Sequence, residues 1–191
     1  MMRGIDVSEW NGLINWEAVA SAGYEFAIVR CTMGKNNRDD NFLANVEGAH
    51  AAGLKVGAYH YSYALTPEDA IVEAQRCRAT IEEAGVLLEL PAWFDFEDAD
   101  GYKRKHGFDF HPWNCTEICR AFIDNIGLDC GVYASLSYLE NYVDWRSLGC
   151  AVWNAQWGAA DDIGGMMWQY TDRQHIPGAS SNELFDANII Y

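Results

Sequence analysis

Residues 92–97 read Ala-Trp-Phe-Asp-Phe-Glu, AWFDFE. The run is short, aromatic and apolar at every second position, which reads as a β-strand. Strand side chains alternate, so Trp93, Asp95 and Glu97 share one face and Phe94 and Phe96 the other. The strand rise separates the two acids by roughly 7 Å along one face. A strand inside an α/β fold is normally apolar on both faces, and an unpaired buried carboxylate costs several kcal/mol. Acids at the carboxyl end of such a strand fit a site at the mouth of a barrel, because that is the end where barrel active sites form. The alternative for these two residues alone is an exposed strand end that caps the next helix.

Working outward, further strands are predicted at residues 4–9 (GIDVSE), 26–31 (FAIVRC), 56–63 (VGAYHYSY), 130–135 (CGVYAS), 151–157 (AVWNAQW), 166–171 (MMWQYT) and 186–191 (DANIIY). Helices are predicted at 15–22, 41–52, 67–84 and 112–126. The third has Thr66 as N-cap, Pro67 at its first position and Gly85 beyond its end. Strands and helices alternate early in the chain, which argues for parallel βαβ units. The last strands are too closely spaced for full helices between them. The pattern predicts an α/β fold with an irregular barrel, a doubly wound open sheet being the alternative. With 191 residues, half of them hydrophobic, and no low-complexity linker, residues 1–191 are expected to form a single domain.

Two more acids fall on the outermost strands. Asp6 lies between Ile5 and Val7, and Asp186 precedes Ala187 and Asn188. First and last strands of a closed barrel are neighbours, so both acids can meet Asp95 and Glu97 over one opening. Clustered carboxylates raise the pKa of at least one member, which is what a general acid near neutral pH requires. Glycoside hydrolysis is the reaction class built on such groups.

Other chemistries find no support. No Gly-x-Ser-x-Gly elbow, HExxH pair or phosphate loop occurs, and the five histidines are scattered, so neither a metal nor a cofactor is expected. Six cysteines at irregular spacing in a chain of this size read as free, buried thiols. A formal net charge of −15 argues against nucleic acid and anionic membranes as partners. The one basic cluster, residues 103–106, reads as a solvated loop.

The motifs GIDVSEWNG (4–12), FAIVRCTMG (26–34), GAYHYSYA (57–64), DFE (95–97), GVYAS (131–135), VWNAQWG (152–158), MWQYTD (167–172) and DAN (186–188) run through nearly the whole chain in order. Together they resemble the glycoside hydrolase family 25 lysozymes, the Chalaropsis-type muramidases. The resemblance implies an irregular TIM-like (β/α)5β3 barrel that cuts the β-1,4 bond after N-acetylmuramic acid in bacterial peptidoglycan. It implies Glu97 as the acid, Asp95 as its partner, and Asp6 and Asp186 as the rest of an acidic floor. Tyr61, Tyr133 and Trp153 are implied to line the sugar groove, with core filling the alternative for each. A glycan-binding barrel without catalysis and a glycosidase acting on chitin are the rival readings.

Peptidoglycan glycan strands are thus the expected partner. Family members often carry wall-binding repeats, and none is recognisable in this sequence. The N-terminal residues MMRGIDVSEW show no signal peptide. Action on the wall from outside is then expected to follow cytoplasmic synthesis and phage-type release, unless the chain was trimmed.

Overall fold

The computed structural model describes residues 1–191. The elements in order are β1 (Met2–Val7), α1 (Trp16–Ser21), β2 (Phe26–Met33), β3 (Asn37–Arg38), α2 (Phe42–Ala51), β4 (Lys55–Tyr61), α3 (Pro67–Ala84), β5 (Ala92–Asp95), α4 (Tyr102–Lys105), α5 (Pro112–Ile126), β6 (Cys130–Ser135), α6 (Leu136–Asn141), β7 (Val152–Ala155), β8 (Met167–His175) and β9 (Leu184–Ile190). The strands run β1-β9-β8-β7-β6-β5-β4-β2, and β1 pairs with β2 to close the ring. Every neighbouring pair is parallel except the two involving β9, which runs against both β8 and β1. This is the closed α/β barrel anticipated from the sequence, with its last strands joined without helices, and not an open sheet.

Local chemistry accounts for the element ends. Thr66 accepts from the Asp69 N–H at 3.2 Å, Pro67 opens α3, and Gly85 closes it with φ of 63°. The six cysteines are free and five of them are buried. Three elements escaped the sequence reading: β3, α4 and α6. The first is only two residues long, held by its pairing with Thr32 and Met33. The second corrects the reading of residues 103–106 as a solvated loop: the Asp98 carboxylate accepts from the backbone N–H groups of Lys103 and Arg104, which organises a helical turn and turns Lys103 inward.

Two apolar cores result. The larger lies between barrel and helices and takes the outward strand residues, such as Ala27, Val29 and Phe94. The smaller fills the barrel with Phe26, Ile28, Trp93, Trp153, Met167 and Ile190. Rings this large fit because glycines face them. A Cβ on Gly4 would lie 2.3 Å from the Phe26 ring, and one on Gly131 would lie 2.5 Å from Trp93 and 2.7 Å from the Ala151 carbonyl oxygen. Gly131→Ala should therefore overpack the barrel and destabilise it by about 1–3 kcal/mol, read as a lower midpoint in urea.

Candidate active site

A groove of about 530 Å³ opens at the carboxyl ends of the parallel strands. Asp6, Asp95, Glu97 and Asp186 all line it, so one opening collects the four acids drawn from distant parts of the sequence. Strand register explains this. Asp95 pairs with Tyr61 on one side and Tyr133 on the other, putting an acid between two phenols. Asp6 stands directly opposite Asp186. Because β9 is reversed, its early residues reach the mouth where the other strands end. Glu97 lies just beyond the last residue of β5, and the Phe96 N–H still bonds the Tyr133 carbonyl at 3.0 Å, which holds the chain in line.

Asp6 is the best-solvated acid of the four, and protein groups do the solvating. The Trp153 indole, a donor only, gives its N–H to Asn188 Oδ1 at 2.9 Å, so the Asn188 amide nitrogen must face Asp6, at 2.8 Å. Gln169 is oriented the same way. Its oxygen accepts from the Tyr133 hydroxyl and the Trp157 indole, both at 3.2 Å, and its nitrogen donates to Asp6 at 3.0 Å. Burial pushes Asp6 up, while these two amides and the Asp186 carboxyl pull it back. Asp186 moves up as well: burial first, then the charge of Asp6, push it to about 9. Asp6 thus has donors that favour its carboxylate form, while Asp186 is pushed toward its protonated form.

Asp95 has no such help. It is buried, and its Oδ1 has no hydrogen-bond partner in the protein. Burial drives it well above the usual carboxylate range, Glu97 adds to the shift, and the charges of Lys103 and Arg30 oppose it. Glu97 is raised to about 7, chiefly by burial, with Lys103 pulling it down and Asp6, Asp100 and Asp98 pushing it up. A carboxyl that titrates near neutrality beside a second with an open acceptor can donate a proton and take it back within one reaction cycle.

The aromatic residues divide. Tyr61 and Tyr133 are half-buried and line the groove. Trp153 is only 2% exposed, and its ring packs on Tyr133 at 4.5 Å and Trp93 at 5.6 Å between centroids, so it shapes the floor as part of the barrel core. Several lining residues were not singled out from the sequence. Tyr59 and Tyr63 follow from the alternation in GAYHYSY. Trp10, 78% exposed at the rim, had no local signal beyond its neighbours in the first motif. Arg30 is the groove's one cation, bound through Nε to Asp39 and through Nη2 to Glu9, both at 2.8 Å. Behind the tyrosines, buried Glu73 accepts from the Ser62 hydroxyl at 2.7 Å and the Tyr63 N–H at 3.0 Å, pinning the end of β4.

The raised acids carry a cost in stability. A carboxyl whose folded pKa exceeds its unfolded value favours folding most at low pH and loses that advantage as pH rises through the folded value. For Asp186 this window runs from the ordinary aspartate range up to about 9. Asp186→Asn should retain a donor toward Asp6, and should raise stability by about 0.5–2 kcal/mol at pH 8 and less at pH 4. Thermal melts at both pH values test the sign.

The sequence profile of Glycosyl hydrolases family 25 matches residues 5–179. The autolytic lysozyme of Clostridium acetobutylicum is 28% identical over 188 residues, covering 97% of this chain and 55% of its own length. Lysozyme M1 of Streptomyces globisporus is 51% identical over 61 residues, covering 32% of this chain and 21% of its own. The chain therefore spans about half or less of these two relatives. Among solved structures, the bacterial lysozyme from Streptomyces coelicolor superposes with a TM-score of 0.79 at 26% identity, covering 99% of this chain and 91% of that one. The CTP1L endolysin gives 0.84 at 23% identity, covering 100% and 67%. With the profile running from β1 almost to β9, the chain belongs to glycosyl hydrolase family 25.

Proposed function

We propose that this chain is a 1,4-β-N-acetylmuramidase that acts on the glycan strands of bacterial peptidoglycan, with Glu97 as its general acid. The observation that carries the reading is the Asp95–Glu97 pair: a groove carboxyl raised to about 7 beside a buried carboxyl whose Oδ1 lacks a donor. Family membership and the lysozyme names of its relatives support the substrate class. One structural neighbour, the autolysin LytC from Streptococcus pneumoniae, is described in complex with a synthetic peptidoglycan ligand. The bond broken lies in the wall, so the site of action is the cell wall. No helix here is long and apolar enough to cross a membrane.

The mechanism we infer is substrate-assisted. The 2-acetamido oxygen of N-acetylmuramic acid attacks its own anomeric carbon as the glycosidic C–O bond breaks, and Glu97 gives its proton to the departing oxygen. Asp95 accepts the acetamide N–H at its open Oδ1. That hydrogen bond favours the carboxylate over the neutral acid, so any proton on Asp95 passes to solvent as substrate binds, and the charge left behind faces the developing oxazolinium cation. Water then adds to the anomeric carbon, Glu97 takes the water's proton, and the ring opens. Two inversions at one carbon give net retention. Asp95 and Glu97 rise from the same strand end, which suits this route better than a nucleophile and an acid on opposite sugar faces.

Glu97→Gln should lower turnover of purified peptidoglycan by roughly 10²–10⁴-fold with the fold intact by circular dichroism. The wild-type rate should fall on the alkaline side of about pH 7, as Glu97 loses its proton. A folded Gln variant within threefold of wild type excludes Glu97 as donor (general-acid effects are about a hundredfold or more). Chitin oligomers in parallel separate a muramidase from a glycosidase of other N-acetylated glycans. Proton NMR of early products should show the β anomer before mutarotation; an initial α signal refutes retention.

A further inference from the structure

Lys103 is the one lysine of this chain that is fully buried, at 1% exposure, and no carboxylate touches it. Its ammonium donates instead to two backbone carbonyl oxygens, those of Ser62 and, at 2.8 Å, Glu97. One carbonyl belongs to the end of β4, the other to the candidate acid. The nitrogen also lies 5.0 Å from the Phe96 ring centroid. The turn that delivers it is purpose-built: Gly101 reverses the chain with φ of 72°, and Asp98 holds the N–H groups of Lys103 and Arg104 at 2.6 and 3.3 Å.

Burying an ammonium without an ion pair costs several kcal/mol. A neutral donor would tie two carbonyls together with no such cost. The charge therefore needs a use, and the groups around Glu97 supply one. Asp95 faces Glu97 from β5, Asp6 from β1, Asp186 from β9, Tyr61 from β4, Tyr133 from β6, and Asp98 and Asp100 from the loop after β5. All of these become negative or stay neutral. The nearby cations are Lys103 and Arg30, and Arg30 already binds Glu9 and Asp39.

We propose that Lys103 is the positioning residue for Glu97: its ammonium clamps the Glu97 carbonyl to the end of β4 and supplies the positive charge that lets Glu97 ionise within an acidic cluster. The proposal rests on the reading of Glu97 as proton donor. Lys103 does not line the groove, so it touches no substrate. Its effect belongs in kcat and in the pH profile, with KM unaffected.

The test is the pH dependence of kcat/KM on purified peptidoglycan for the wild type, Lys103→Gln, Lys103→Met and Lys103→Arg, each with a thermal melt. Loss of the charge makes Glu97 hold its proton to higher pH. The Gln and Met variants should move the alkaline limb up by about 1 pH unit and lower kcat by about tenfold, while Arg keeps the limb in place. Should Met fail to fold, the Gln and Arg pair still decides between charge and shape. A folded Gln variant whose limb stays at the wild-type position overturns the proposal, whatever its rate, and so does an Arg variant whose limb moves as far as that of Gln. An active Glu97→Gln enzyme instead sinks the reading beneath it, which keeps the two failures apart.

Discussion

The constraint that governs this protein is the cost of holding four carboxyl groups out of water at one end of a closed barrel. Burial raises Asp6, Asp95, Glu97 and Asp186 alike. The barrel answers each differently. Asp6 receives two side-chain amides whose orientation is dictated by donors behind them. Asp186 is driven up by burial and by the charge of Asp6. Asp95 is left with an open oxygen, and Glu97 is balanced near neutrality. Four chemically similar groups thus acquire distinct environments from their neighbours alone.

The amides that organise Asp6 are part of the barrel core. Trp153 fills the interior and orients Asn188; Tyr133 and Trp157 orient Gln169. Packing and electrostatics are therefore one network, and a change in the barrel's aromatic filling reaches the charge state of the groove. The glycines that admit the large rings belong to the same arrangement, because Trp93 could not lie beside Gly131 if that residue carried a side chain.

Much of this was readable beforehand, for definite reasons. Strands with apolar runs bounded by turn residues, and helices with proline at the start and glycine at the end, declare themselves locally; α3 and α5 begin and end where the sequence places them. The four acids stood out because each interrupts an apolar strand. What stayed hidden depends on contacts distant in sequence. Nothing near Lys103 marks it as buried, since its burial follows from Asp98 holding the turn and from the Ser62 carbonyl just beyond β4. Gln169 and Asn188 look like ordinary strand polar residues until the ring closes around Asp6. Trp153, expected in the sugar groove, does border it, but at only 2% exposure, because edge-type packing on Tyr133 and Trp93 ties its ring to the barrel interior in a way its motif does not reveal.

The reversed strand β9 also joins two tasks in one element. It carries Asp186 and Asn188 and supplies the pairing that closes the ring between β8 and β1. Without β9 the ring would be open between β8 and β1, Asp6 would lack its Asn188 donor, and the groove would lose the wall that carries Asp186. Closure of the ring and completion of the acidic cluster therefore hang on the same seven residues, Leu184–Ile190.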